Sequence, residues 1–239
     1  MLELHHFPIS KTAKLASYSP FCLKTELFLR ACSIPYKSVW IMGSPSKAPR
    51  GKLPFIKYEN QTIPDSEQII DFLTHKLDKN PDAHLNENEL ALSWSLKRLI
   101  EDSLAPLMAY YRWVDKRYWP RTKAAFFPKL PVGLGQVIPA VVRAPVVKRF
   151  KNAGISDYSE PERIRIFKRG LETLSFYLGQ SDFFFGDNVS NLDFSAFGLL
   201  ANILRNDLTP NLNELVAAFP NLVNYVERLS LKYFPERGQ

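Results

Sequence analysis

The sequence predicts an α/β unit followed by an all-α one, and three observations carry that reading. Strand-like and helix-like periodicities alternate through the first part of the chain. The stretch Lys79-Asn80-Pro81-Asp82 then breaks the pattern. Beyond it convincing strands disappear, and long apolar stripes at helical spacing take over. The expected organisation is residues 1–78 as a first domain, 79–88 as a linker and 89–239 as an all-helical second domain. A chain of 239 residues is long enough to bury a substantial core.

Glu3 to Phe7 reads as a short strand, and Phe21 to Ala31 as a helix with Leu23, Leu27, Phe28 and Ala31 on one face. Pro20 suits that helix's first turn, where its missing N–H costs nothing. Ile34-Pro35 stops the helix, and Tyr36 to Met42 reads as a second strand. An irregular, Pro-, Ser- and Lys-rich segment runs from Gly43 to Lys52. Phe55–Tyr58 and Gln61–Ile63 form a hairpin around Glu59-Asn60. Asp65-Ser66-Glu67-Gln68 opens a helix whose apolar face is Ile69, Ile70, Phe72, Leu73 and Leu77. Strand, helix, strand, irregular crossover, hairpin and helix is the order of a thioredoxin-like domain. In the second half, helices are expected over Glu89–Trp113, Pro161–Leu178, Ser190–Leu204 and Asn221–Phe234, with Gly179 as a stop.

Bulk properties exclude several functions. No stretch reaches the ~18 apolar residues of a membrane span. The opening Met1-Leu2-Glu3-Leu4-His5-His6 does not read as a secretory leader, and Cys22 and Cys32 cannot build a disulfide framework, so a reducing cytoplasm is the expected compartment. The net charge of +7 is concentrated between Arg112 and Gly170. It reads as a solvated helical face, or as an electropositive mouth for an anionic ligand or a membrane surface. No motif accompanies it that would indicate nucleic-acid binding. The histidines lack metal-ligand spacing, and neither a phosphate loop nor a Gly-x-Ser-x-Gly elbow is present.

The chemistry-bearing residues cluster in the first part. Ser19-Pro20-Phe21-Cys22 reads as a CxxC turn whose first, attacking sulfur is replaced by a hydroxyl. A serine there cannot exchange disulfides, but it can donate a hydrogen bond to the thiolate of a bound thiol, aided by the positive end of the helix. The alternative is that Ser19 simply caps the helix, which needs the same geometry. Cys22, one turn inside, is expected to pack as a buried inert thiol. Asp65-x-x-Gln68 is a helix-capping arrangement that needs no ligand, and Ser190-Asn191-Leu192-Asp193 is a capping box that reads as folding and stability.

The chain resembles the glutathione S-transferase superfamily, and within it the failed-axon-connections and metaxin-like branch. The resemblance rests on Ser19-Pro20-Phe21-Cys22-Leu23-Lys24, Gly51-Lys52-Leu53-Pro54-Phe55-Ile56, Asp65-Ser66 and Tyr111-Arg112-Trp113, and continues through Gly186-Asp187 to Asp193. It implies a glutathione site on a thioredoxin-like domain, facing a hydrophobic site on a helical domain. On that reading Ser19 is the catalytic hydroxyl, with Tyr18 a second hydroxyl candidate or a packed loop aromatic. Pro54 is cis, and Leu53 offers its backbone N–H and C=O to the peptide. Lys52 meets the glycyl carboxylate, or is an ordinary exposed lysine. Asp65 and Ser66 hold the γ-glutamyl group. No metal is implied, the co-substrate is a small-molecule electrophile, and members of the family often form homodimers.

Two features depart from an ordinary transferase. The loop from Pro8 to Tyr18 is long and is expected to border the thiol site. The proline-rich segment Trp119 to Val147 reads as an insertion that lids the hydrophobic site, rests peripherally on a membrane, or packs against the helical domain. The sequence therefore supports a glutathione-dependent enzyme, or a binding or scaffold protein whose pocket is repurposed.

Overall fold

The computed structural model describes residues 1–7, 17–41, 45–128, 130–131 and 134–237. The expected loop from Pro8 to Tyr18 falls outside the described residues up to position 16. So do Met42, the expected end of the second strand, and the first two residues of the segment beginning at Gly43.

Strand β1 (Leu2–His6) runs parallel to β2 (Tyr36–Trp40) and antiparallel to β3 (Phe55–Tyr58), which pairs in turn with β4 (Gln61–Pro64); the sheet order is β2-β1-β3-β4. A parallel pair cannot be joined by a tight turn, and helix α1 (Pro20–Ala31) makes the crossover. The β3–β4 turn falls at Glu59-Asn60 as the sequence predicts, with Glu59 at a φ of 53°. Helix α2 (Ser66–Leu77) buries Ile69, Ile70 and Leu73.

The second half is helical. Helices α3 (Glu87–Arg98) and α4 (Ala105–Trp113) occupy the span expected as one long helix, but a π-helical turn at Leu99–Leu104 separates them. Pro106 explains the change of register, because its ring has no N–H and crowds the carbonyl four residues back. The proline-rich segment expected as an insertion is itself largely helical. It forms α5 (Trp119–Phe126), with Pro120 in its first turn, and α6 (Leu134–Asn152), which carries Pro139 and Pro145 inside it. Helices α7 (Glu160–Leu178), α8 (Asn191–Leu204) and α10 (Pro220–Tyr233) fall where periodicity puts them, whereas the short α9 (Pro210–Ala217) was not expected. No helix among the described residues is long and apolar enough to cross a membrane.

One continuous core runs from Leu4 and Ile56 of the sheet through Phe28 to Leu104, Phe194 and Leu229 of the helical part. Helix α8 is buried on every side from Leu192 to Ile203 and packs against α1. Gly198 permits that contact: a Cβ there would lie 2.5 Å from the Pro20 carbonyl oxygen and 3.3 Å from the Lys24 nitrogen. Backbone on both sides leaves little room to yield. Gly198→Ala should therefore lower stability by about 2 kcal/mol, read from the urea midpoint, by forcing the start of α1 away from α8.

Candidate functional site

Ser19 is the N-cap of α1. The Cys22 N–H donates to Ser19 Oγ at 3.3 Å, and the Ser19 N–H donates to Ser17 Oγ at 3.2 Å. The cap uses a lone pair of Oγ and not its O–H proton, so capping and thiolate stabilisation draw on different atoms of one hydroxyl. Cys22 is fully buried, and burial pushes its thiol up to about 11 although the Ser19 hydroxyl pulls the other way. It packs as expected, against Leu53 and Phe55.

The helical part holds this turn in place. Arg112 of α4 is buried and donates to the Tyr18 carbonyl at 2.9 Å, and to the Asn202 side-chain and main-chain oxygens at 2.7 Å each. Asn202 Nδ2 donates to the Ser17 carbonyl at 2.9 Å. Burial lowers the Arg112 guanidinium to about 9, which leaves it cationic at neutral pH. The sequence marked Arg112 only as part of a motif; its position directly behind the Ser19 turn is a tertiary fact.

The other predicted residues meet in a cleft that also takes Phe21 of the first turn of α1. The Leu53–Pro54 bond is cis, as the resemblance implies. The Pro54 carbonyl accepts from the Asp65 N–H at 3.2 Å, so these two motifs are hydrogen-bonded to one another. Among the described residues the Leu53 N–H and C=O have no hydrogen-bond partner. Asp65 caps α2 with φ 70° and ψ 134°, a conformation sparsely populated by residues other than glycine, and its Oδ1 accepts from the Glu67 N–H at 3.0 Å. The reciprocal half of the expected Asp65-x-x-Gln68 arrangement does not form. With its amide oxygen facing Arg50, Gln68 accepts from both terminal guanidinium nitrogens at 3.0 Å instead.

A cleft of about 540 Å³ gathers Lys52, Leu53, Pro54, Asp65 and Ser66, within the size range of small-ligand pockets. Arg50 joins them from the same loop, while Trp94, Arg98 and Asp102 form the opposite wall and α6 contributes Arg149. Ser19 is not on the lining; Phe21, two residues along the same turn, is. Arg149 and the helical wall carried no signal in the sequence, because they reach the cleft from separate elements.

Beneath the cleft lies a buried ionic network. Lys24 pairs with Glu67 and, at 2.7 Å, with Glu101; Lys97 also pairs with Glu67. Arg98 reaches Glu101 at 2.8 Å, and the Ser195 hydroxyl donates to Glu101 at 2.7 Å. Burial by itself would raise the Glu67 carboxyl, but Lys24 and Lys97 together hold it at about 2, below its ordinary 4.5. A folded value below the unfolded one means that its stabilisation is complete above pH 4.5 and is lost as pH falls toward 2. Urea midpoints measured against pH should show Glu67→Gln about 2 kcal/mol less stable than the parent at neutral pH, with the gap closing as pH approaches 2. With Glu67 and Glu101 neutralised by these lysines and Arg98, the cleft retains the positive charge of Arg50, Lys52 and Arg149 against Asp65 and Asp102.

On the other side of the Ser19 turn stands an aromatic cluster. The Phe126 ring of α5 lies 5.7 Å from Phe7, 5.5 Å from Tyr18 and 5.2 Å from Trp113, centroid to centroid. Arg143 of α6 stacks over Trp119 at 4.6 Å and donates to the carbonyls of Trp113 and Val114 at 2.7 and 2.8 Å. The proline-rich segment thus packs onto α4 and the entrance to α1.

The fold, a small mixed sheet with two helices followed by a helical bundle, and a peptide-sized cleft beside a cis-proline turn define a thioredoxin-like unit joined to an all-helical one. The glutathione S-transferase N-terminal domain model matches residues 20–118, and the glutathione S-transferase C-terminal domain model matches residues 167–229. The chain belongs to the glutathione S-transferase superfamily. Failed axon connections of Drosophila melanogaster is 30% identical over 98% of this chain, which spans only 58% of that protein's length. The isoprene-epoxide–glutathione S-transferase of Rhodococcus sp. is 29% identical over 90% of this chain and 92% of its own. Human metaxin-2 is 27% identical over 94% of this chain and 86% of its own. Among solved structures, the glutathione S-transferase CsGST63524 of Ceriporiopsis subvermispora in complex with glutathione superposes with a TM-score of 0.65 at 19% identity, covering 100% of this chain and 98% of that one. At that identity the likeness speaks for the fold.

Proposed function

We propose that this protein binds glutathione in the cleft between the Leu53-Pro54 turn and α2, and activates its thiol for attack on a hydrophobic electrophile. The observation that carries the reading is the convergence of Lys52, Leu53, Pro54, Asp65 and Ser66 on one cleft, with the Leu53 N–H and C=O unpartnered among the described residues and so available to a peptide. The three parts of the tripeptide find matching chemistry there. Lys52, with Arg50 beside it, takes the glycyl carboxylate as a charge-assisted pair. Leu53 pairs with the cysteinyl backbone. Ser66, at the open N-terminus of α2, takes the γ-glutamyl carboxylate, and Asp65 takes the ammonium. The Ser19 O–H, beside the positive end of α1, donates to the sulfur and favours the thiolate. A thiol near pKa ~8.5 is only a few per cent ionised at neutrality, so lowering it by one or two units yields about tenfold more nucleophile.

In this reading residues 1–78 form the glutathione domain, 79–88 the linker and 89–239 the domain that receives the electrophile. The enzyme works in a reducing compartment, the cytoplasm, and the unbridged Cys22 and Cys32 fit that setting. The similarity to an isoprene-epoxide–glutathione S-transferase along nearly the whole chain supports it.

One observation favours a second reading, that of a non-catalytic binding or scaffold protein. Phe126 packs against Phe7, Tyr18 and Trp113, the aromatic surface beside Ser19 on which an electrophile would rest. The similarity to metaxin-2 agrees with it.

Conjugation of glutathione to an aryl halide separates the two. Under the enzyme reading Ser19→Ala lowers kcat/KM by about tenfold or more, with a smaller fall in glutathione affinity. Activity unchanged by Ser19→Ala removes the role of the hydroxyl, and no turnover in the parent protein favours the scaffold.

A further inference from the structure

From Lys116 to Ser156 the chain carries nine lysines and arginines and not one aspartate or glutamate. Part of this charge is used internally. Arg117 pairs with Asp115 and Glu160, Arg121 with Asp207, and Arg143 holds two main-chain carbonyls. Lys148, Arg149 and Lys151, at the end of α6, have no carboxylate partner among the described residues. Lys148 and Lys151 are exposed.

The same helix leaves apolar side chains in solvent. Pro139 and Phe150 are buried, whereas Leu134, Val137 and Val141 are 44%, 55% and 66% exposed. At 100° per residue Leu134, Val137, Val141, Ala144 and Lys148 fall on one side of the helix, opposite the buried pair. Its outward face is therefore apolar for the first turns and cationic for the last. A packed surface helix normally shows the reverse, with its apolar stripe turned inward. Glycine and proline punctuate the same stretch, and the helix that results has almost no amphipathicity toward the protein core.

We propose that the outer face of α6 docks on the surface of an anionic lipid bilayer, with Leu134, Val137 and Val141 entering the headgroup–acyl boundary and Lys148 and Lys151 meeting the lipid phosphates and carboxylates. The occupant follows from charge complementarity combined with exposed aliphatics. A polyanion such as nucleic acid would use the cations and leave the valines idle, whereas a bilayer uses both. Three aliphatic side chains and a few lysines give reversible, salt-sensitive attachment, not permanent anchoring. The proposal is independent of the glutathione reading: Lys148, Lys151, Val137 and Val141 do not line the cleft.

Sedimentation of the full chain with vesicles of equal parts phosphatidylserine and phosphatidylcholine, compared with phosphatidylcholine alone, tests it. The expected result is binding to the anionic vesicles that weakens as salt is raised, with little binding to the neutral ones. Val137→Asp/Val141→Asp and Lys148→Glu/Lys151→Glu should each weaken that binding by about tenfold or more. Circular dichroism spectra matching the parent establish that each variant is folded; both pairs lie on exposed positions, and the lysine pair decides if the valine pair perturbs the helix. Absence of binding to the anionic vesicles overturns the proposal, as does equal binding to neutral ones. Loss in the lysine variant with none in a folded valine variant also overturns it and assigns the face to a polyanion.

Discussion

Asp193→Ala should lower the stability of this protein by about 4 kcal/mol and its melting temperature by about 10 °C. Asp193 lies at the start of α8, fully buried. Its Oδ2 accepts from the Ser190 N–H at 2.8 Å and the Ser190 hydroxyl at 2.7 Å, completing the capping box. Its Oδ1 accepts from the Phe184 N–H and the Tyr225 hydroxyl, both at 3.1 Å. Burial raises the carboxyl to about 6, so at neutral pH the site holds a carboxylate that depends on those four donors. Truncation removes a cap worth about 1 kcal/mol and strands the Ser190 and Phe184 N–H groups in the core, at about 1–3 kcal/mol each. Tyr225 keeps one acceptor, the Asp193 main-chain carbonyl at 3.0 Å, which limits the loss. Asp193→Asn retains one acceptor oxygen and should fall between parent and alanine variant in urea unfolding. An alanine variant as stable as the parent would show that this helix start does not depend on the Asp193 carboxylate.

Lys24→Met should cost about 3 kcal/mol. Lys24 is only 1% exposed, and its ammonium stands between Glu67 of α2 and Glu101 of the π-helical turn. Methionine fills much of the volume but leaves two carboxylates facing each other with one cation fewer, and a buried charge without its partner costs more than the pair was worth. Glu67 retains Lys97, and Glu101 retains Arg98, which keeps the loss below the upper end of the range. Adding Glu67→Gln should recover part of the stability, and a double-mutant cycle on urea midpoints measures the coupling. Additive losses in that cycle would mean that Lys24 acts through packing alone. Because Glu67 adjoins Ser66 at the head of α2, the single variant should also weaken glutathione binding.

Much of the fold was legible because local rules and tertiary packing agree. Pro20 at a helix start, the apolar spacing of α1, α2, α7 and α10, and the Ser190–Asp193 box each specify structure within a few residues. The two halves of the candidate cleft were legible for a similar reason: Leu53-Pro54 and Asp65-Ser66 are short motifs with local geometry. What the sequence hid is non-local. Lys24 and Glu26 look like an ordinary polar face of α1, yet both are buried, since α1 has the sheet on one side and α8 on the other. Their partners, Glu101 and Arg237, are 77 and 211 residues away. Arg149 and Arg112 reach the site from helices whose positions no spacing rule provides. The prolines of α5 and α6 pointed to irregular chain, but Pro120 sits in a first turn, and the exposed flank of α6 tolerates Pro145 where no inward packing is lost.

Calorimetric titration of the folded protein with reduced glutathione decides whether the cleft binds that peptide. The expected result is a saturable heat of binding with one site per chain, weakened by about tenfold in Ser66→Ala, which loses the hydroxyl facing the γ-glutamyl carboxylate. No heat at millimolar glutathione, from protein that unfolds cooperatively and is therefore intact, would contradict it.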